Sequence, residues 1–137
     1  MFLSILLSYA EKMEASEVWY GAAEADSLAG YWDGSIQFVD KMNQICLLNR
    51  QVNIRVRAPL LKMSKKEIIL NGVELGVIFA DTYTCYSGEY PCDANSASSA
   101  LRLKGFVDAG LQDPLKYKQQ DKLDSVYKDN NCKSIVD

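Results

Sequence analysis

The sequence predicts an α/β domain built on a mostly parallel sheet, and three observations predict it. Two short runs rich in β-branched and aromatic residues, Glu17–Gly21 and Asn53–Arg57, read as strands. Segments of helical periodicity lie between and around them, so the strands are joined by a crossover and not by a hairpin turn. With 137 residues, 48% of them hydrophobic, the chain has enough apolar surface for one compact core.

In chain order, residues 1–15 read as an amphipathic helix, with Leu3, Leu6, Leu7, Ala10 and Met13 at helical spacing. This apolar start lacks a basic n-region, and Glu11 and Lys12 arrive before it is long enough to span a bilayer. After the first strand, residues 22–35 form a loop with Gly30, Gly34 and a bias to small side chains. A helix is expected over residues 36–48, with Phe38, Met42, Ile45 and Leu48 or Asn49 on one face. The second strand ends at Pro59, which has no N–H for the ladder. Ser64-Lys65-Lys66-Glu67 is a capping box opening a helix that carries Ile68, Ile69, Val73 and Leu75, with Gly76 as its C′ residue. Another helix, about 98–109, closes at Gly110. The domain is expected over residues 1–115, followed at 116–137 by a polar tail, a frayed helix or disorder.

Charge and composition exclude several classes. A net charge of -3 gives no electrostatic reason for nucleic-acid binding; Arg55/Arg57 and Lys62/Lys65/Lys66 read as solvated faces. Histidine is absent, which removes the commonest general base and metal ligand. Four cysteines, Cys46, Cys85, Cys92 and Cys132, are too few and too spread for a disulfide scaffold, and a reducing cytoplasm is expected.

Two segments can carry chemistry. In an open α/β sheet ligands bind beyond the C-terminal ends of strands. The loop from Gly21 and Ala22 through Asp26, Gly30, Tyr31 and Asp33 follows the first strand. Its small residues let a substrate approach the backbone, and Asp26 or Asp33 can accept from purine-like N–H groups; an ordinary surface loop is the alternative. The second segment holds Cys85 and Cys92, which read either as half of a tetrahedral zinc site or as free thiols. The run Arg102–Gly110 is explained by helix packing alone.

Taken together and in order, these segments resemble the 7-cyano-7-deazaguanine synthase family of ATP-pyrophosphatase type. The resemblance runs through Phe2-Leu3-Ser4, the loop Gly21 to Asp33, Ala58-Pro59-Leu60-Leu61 with Ser64-Lys65-Lys66-Glu67-Ile68, Glu74-Leu75-Gly76-Val77, Thr84-Cys85-Tyr86 and Leu101 to Phe106. It covers about residues 1–115 and implies a Rossmann-like fold, of the adenine nucleotide hydrolase kind, truncated at its N-terminus relative to the family. It also implies the family reaction: ATP-dependent conversion of 7-carboxy-7-deazaguanine and ammonia to the nitrile. The family's Ser-Gly-Gly-x-Asp-Ser phosphate loop is absent from this sequence, so ATP is implied by resemblance only.

The family's zinc is held by four cysteines. Here Cys85 and Cys92 remain, and Ser96 and Ser99 stand in place of the other two. Where the family has Gly-Tyr-Pro-Asp-Cys-Arg, this chain has Gly30-Tyr31-Trp32-Asp33-Gly34-Ser35. The partners implied are a small deazapurine and either a chain bearing the missing N-terminal half or further copies of this one, with no membrane and no nucleic acid. The alternatives are a non-catalytic fragment serving assembly and a diverged deazaguanine-modification protein.

Overall fold

The computed structural model describes residues 2–23, 30–49 and 51–135. They fall into two compact units, Met1–Met63 and Ser64–Asp137.

The first unit is a parallel β-α-β arrangement of Rossmann-like character. Helix α1 (Phe2–Lys12) leads into strand β1 (Glu17–Trp19), and a 3-10 turn (Trp32–Gly34) precedes helix α2 (Ile36–Cys46) and strand β2 (Arg55–Arg57). β1 and β2 pair in parallel with Val18 opposite Val56. Leu3, Ala10, Val18, Val39, Cys46, Ile54, Val56 and Leu61 form its buried core. Ser35 caps α2 by accepting from the Phe38 N–H at 3.2 Å.

The buried face of α2 is rotated from the one its apolar spacing predicts. Val39 and Cys46 are buried, whereas Ile45 and Leu48 are exposed. The cause is Asn43. Its side-chain amide donates to the Val56 C=O (3.1 Å) and accepts from the Val56 N–H (2.8 Å), so Asn43 must face β2.

That contact also settles the two sheet edges. Arg55 N–H donates to Ser16 C=O and Tyr20 N–H donates to Arg57 C=O. Backbone groups alternate in direction along a strand, so those of Val56 point away from β1, where Asn43 satisfies them. By the same alternation, Glu17 and Trp19 direct their N–H and C=O groups away from β2. The outer edge of β2 is closed by a side chain; that of β1 faces outward.

The second unit contains helices α3 (Lys65–Glu74), α4 (Ala97–Asp108) and α5 (Gln120–Asp129), with a 3-10 turn at Phe79–Asp81. The capping box forms: Ser64 Oγ accepts from the Glu67 N–H at 3.2 Å, and Glu67 Oε2 accepts from the Ser64 N–H at 2.7 Å. Gly76 and Gly110 follow the ends of α3 and α4 at φ +72° and +73°, the left-handed conformation that ends helices. α3 and α4 meet at Gly105, where an added Cβ would lie 2.8 Å from Lys65 Cβ.

Within residues 116–137, expected as a polar tail, a frayed helix or disorder, lies the helix α5, and Tyr127 is buried. Backbone bridges join Cys92 to Tyr117 and Leu111 to Lys133. The apparent polarity of the stretch reflects a helix that buries one aromatic and leaves its charges in solvent. Among the described residues, no helix is long and apolar enough to cross a membrane.

Candidate functional site

The loop after β1 lies where an α/β sheet places ligands. Gly21 is exposed, Ala22 half-buried and Ala23 buried where the chain leaves β1. Asp26 lies outside the described residues. The chain returns through Gly30, Tyr31 and Asp33, all three exposed. Tyr20 anchors the returning limb, donating its hydroxyl to the Asp33 C=O at 3.2 Å. Burial and then the Asp33 charge raise the Tyr20 phenol above its ordinary value, so it remains a donor. Trp32 packs edge-on against Phe38 of α2, ring centroids 5.0 Å apart. These contacts join the end of β1 to the start of α2 through Tyr20 and Asp33 and through Trp32 and Phe38. A separate hollow of about 510 Å³, lined by Ser16, Asp40, Asn43 and Asn53 among others, lies at the opposite end of the strands.

The cysteine loop forms the second candidate. All four cysteines are free thiols. Cys85, Cys92 and Ser99 are buried. Cys85 Sγ lies 3.2 Å from Ser87 Oγ and 3.6 Å from Ser96 Oγ. Ser87, by its hydroxyl and then its N–H, and then the Ser96 hydroxyl, lower the Cys85 thiol to about 6. Ser96 Oγ is 2.8 Å from Ser99 Oγ and also accepts from the Ser99 N–H, capping α4. The structure thus links Cys85, Ser96 and Ser99 directly.

This donor set does not fit a structural zinc. Beside the thiols of Cys85 and Cys92 it offers only the hydroxyls of Ser96 and Ser99, and serine stays protonated near neutral pH. Asp93 does not complete it, because its Oδ1 accepts from the Asn95 N–H (2.9 Å) and from Gln119 Nε2 (3.1 Å). Among the described residues no three His, Cys, Asp or Glu side chains form a group able to hold a metal.

Sequence reasoning missed a heavily bonded group of the second unit. Arg102 donates from Nε and Nη2 to the two oxygens of Asp113 (2.6 and 2.8 Å), a bidentate pair. It also donates from Nη1 to Thr82 Oγ1 and C=O (2.7 and 3.1 Å) and from Nη2 to Phe79 C=O (3.1 Å). Asp113 further accepts from the Tyr117 hydroxyl at 2.8 Å. Burial first, and then the Asp113 charge, raise Tyr117 far above its ordinary value, so it acts as a fixed donor. The signal available was a helical arginine followed by a carboxylate just past the Gly110 terminator.

Comparison with known proteins places these features in a family context. The family model described as queuosine biosynthesis protein QueC matches residues 1–110. A 7-cyano-7-deazaguanine synthase of Clostridium kluyveri is 38% identical over 124 residues, 86% of this chain and 54% of that protein. The proteins of the same name from Thermoplasma acidophilum and Alteromonas mediterranea are each 35% identical, over 94% and 86% of this chain. The chain spans about half the length of the curated relatives it matches. No solved structure matches it.

Proposed function

The chain belongs to the QueC family of queuosine biosynthesis proteins, and on that premise we propose that it forms the C-terminal portion of a 7-cyano-7-deazaguanine synthase. The reaction proposed for the assembled protein is the family's: ATP activates the carboxylate of 7-carboxy-7-deazaguanine as an adenylate, and ammonia supplies the nitrile nitrogen. The observation that carries this reading is 35–38% identity to synthases of that name across most of the chain.

Within that reading this portion contributes deazapurine contacts. Gly21 and Ala22 let the ring approach the backbone beyond β1, and Asp33, with Asp26, accepts from its N–H groups. Tyr31 offers a face for stacking. ATP is held chiefly by the complementary half, because phosphates are bound by backbone amides of a loop that this sequence does not contain. The free thiols accord with a reducing cytoplasm.

The partner in this reading is the remaining half of the synthase fold. A parallel sheet is stable only with both faces covered and more than two strands. The outward edge of β1 offers ladder positions at Glu17 and Trp19. Beside it in sequence, α1 carries an exposed apolar stripe of Phe2, Ile5, Leu6 and Tyr9 at helical spacing, with exposed Met13 just past its end.

The test is reconstitution. The chain is purified alone and co-expressed with the N-terminal half of the Clostridium kluyveri relative, then supplied with ATP, 7-carboxy-7-deazaguanine and ammonium. Nitrile formation by the pair, ATP affinity of the lone chain no tighter than about millimolar, and a kcat/KM at least about tenfold lower for Asp33→Asn are expected. A stable pair that neither binds nor converts the deazapurine overturns the proposal, and a micromolar ATP site on the lone chain overturns the division of labour.

A further inference from the structure

We propose that the loop bearing Cys85 and Cys92 is closed by hydrogen bonds within the chain and by the segment 111–133, in place of a metal ion, so that the second unit folds with no zinc bound.

The two serines at the expected ligand positions are already engaged. Ser96 Oγ accepts the Ser99 N–H of the first turn of α4, and to face a metal it would have to abandon that cap. Its hydroxyl has Ser99 Oγ at 2.8 Å, Ser98 Oγ at 3.5 Å and Cys85 Sγ at 3.6 Å within reach, and the Ser99 side chain is fully buried. No buried side-chain oxygen or nitrogen among the described residues lacks a hydrogen-bond partner. A buried hydroxyl held for a cation would be such an orphan; those of Ser96 and Ser99 are bonded to each other.

A structural metal cross-links distant parts of a loop, and that work is done here by the chain beyond residue 110, where the family-model match ends. Cys92 N–H donates to Lys116 C=O and Lys118 N–H donates to Cys92 C=O, at 3.0 and 2.9 Å. Gln119 then accepts the Ala94 N–H at 3.0 Å and donates to Asp93 Oδ1 at 3.1 Å. Lys118 pairs with Glu89 on the same loop. The stitching segment is itself fixed, because Tyr117 bonds Asp113 and Asp113 is held by Arg102 of α4. Four successive loop residues, Cys92 to Asn95, are therefore tied through backbone and side-chain bonds to residues 116–119 or to one another.

The experiment uses the full chain. Elemental analysis of the purified protein is expected to give well under one zinc per chain, with a melting temperature unmoved by EDTA or by added zinc chloride. Stoichiometric zinc that is lost in Cys85→Ala, or a melt lowered by EDTA, overturns the proposal. The stitching is read separately by hydrogen exchange. Gln119→Ala is expected to speed exchange of the Ala94 amide at least about tenfold, and unchanged exchange there overturns that half of the argument. Ser96→Cys with Ser99→Cys should convert the loop into a zinc site with a raised melting temperature; a double variant that takes up no zinc shows that these serines do not stand at ligand positions and overturns the placement.

Discussion

Replacing Arg102 by methionine keeps the aliphatic stem on α4 and deletes the guanidinium. The side chain of Arg102 is 11% exposed and that of Asp113 is 0%, so the pair is buried and screening by solvent is slight. Five hydrogen bonds disappear: two to Asp113, two to Thr82 and one to Phe79. Asp113 would remain buried as a carboxylate, accepting only from the Leu115 N–H and the Tyr117 hydroxyl. Breaking one partner of a buried ion pair costs about 3–5 kcal/mol, because an uncompensated charge is left behind. With a urea m-value of about 2 kcal/mol/M, Arg102→Met should lower the denaturation midpoint of the second unit by roughly 2 M. Arg102→Lys keeps the charge but not the planar fork, and should lose about 1–3 kcal/mol. The double variant Arg102→Met, Asp113→Leu removes both charges and should lose less than the sum of the single losses, by about 2 kcal/mol or more. A loss under about 1 kcal/mol for Arg102→Met, or additive single and double variants, would refute the view that this pair organises the unit.

The other expectations concern the edge, the helix contact and pH. Trp19→Pro deletes an N–H that points away from β2 and should abolish assembly with the complementary half while leaving the β1–β2 ladder intact; Tyr9→Lys on the α1 stripe should do the same. Light scattering showing undiminished assembly in both would sink the edge assignment. Gly105→Ala inserts a methyl 2.8 Å from Lys65 Cβ and 2.9 Å from Ile69 Cδ1, and should cost about 1–3 kcal/mol by urea denaturation; a neutral result means α3 and α4 are not in tight contact. The Cys85 thiol is lowered in the folded chain to about 6 from its ordinary value near 9. Between these values the unfolded chain holds the extra proton, so the Cys85 contribution is complete above about pH 9 and is lost as pH falls through about 6. The gap in melting temperature between the natural chain and Cys85→Ala should therefore widen from pH 6 to pH 8.5, and a constant gap would contradict it.

The elements were legible where local chemistry fixes them. The capping box at Ser64 and Glu67 and the terminators Gly76 and Gly110 depend on a few neighbouring residues, so their positions could be read directly. The face of α2 could not. Apolar spacing favoured Ile45 and Leu48, but the position that decides the rotation is a polar residue, Asn43, whose partner lies thirteen residues on. A half-buried amide that pairs a strand edge has the same composition signal as a surface asparagine. The packing of α5 was hidden for a related reason: charges and amides along Gln120–Asp129 mask one buried tyrosine, and Gln119 at the helix start bonds back to Ala94.

The candidate sites divide along the same line. The loop after β1 was expected from a topological rule that needs only the strand, and on its returning limb Gly30, Tyr31 and Asp33 are exposed, with the Asp33 C=O bonded to Tyr20. The cysteine loop required knowing what each hydroxyl touches. Ser96 can be counted as a lost ligand from sequence, but its replacement role as the cap of α4 appears only when Ser99 N–H is seen on its oxygen. The Arg102–Asp113 pair is the clearest case of a relation that spacing hides. Eleven residues separate the two, and α4 ends between them. Folding back at Gly110 is what brings the carboxylate to the guanidinium, so a glycine read only as a helix terminator is also what sets the polar core. Gly110→Ala should therefore strain the turn at φ +73° and weaken the ion pair together. A loss in Gly110→Ala that persists undiminished in the Arg102→Met, Asp113→Leu background would show that the turn and the pair act independently.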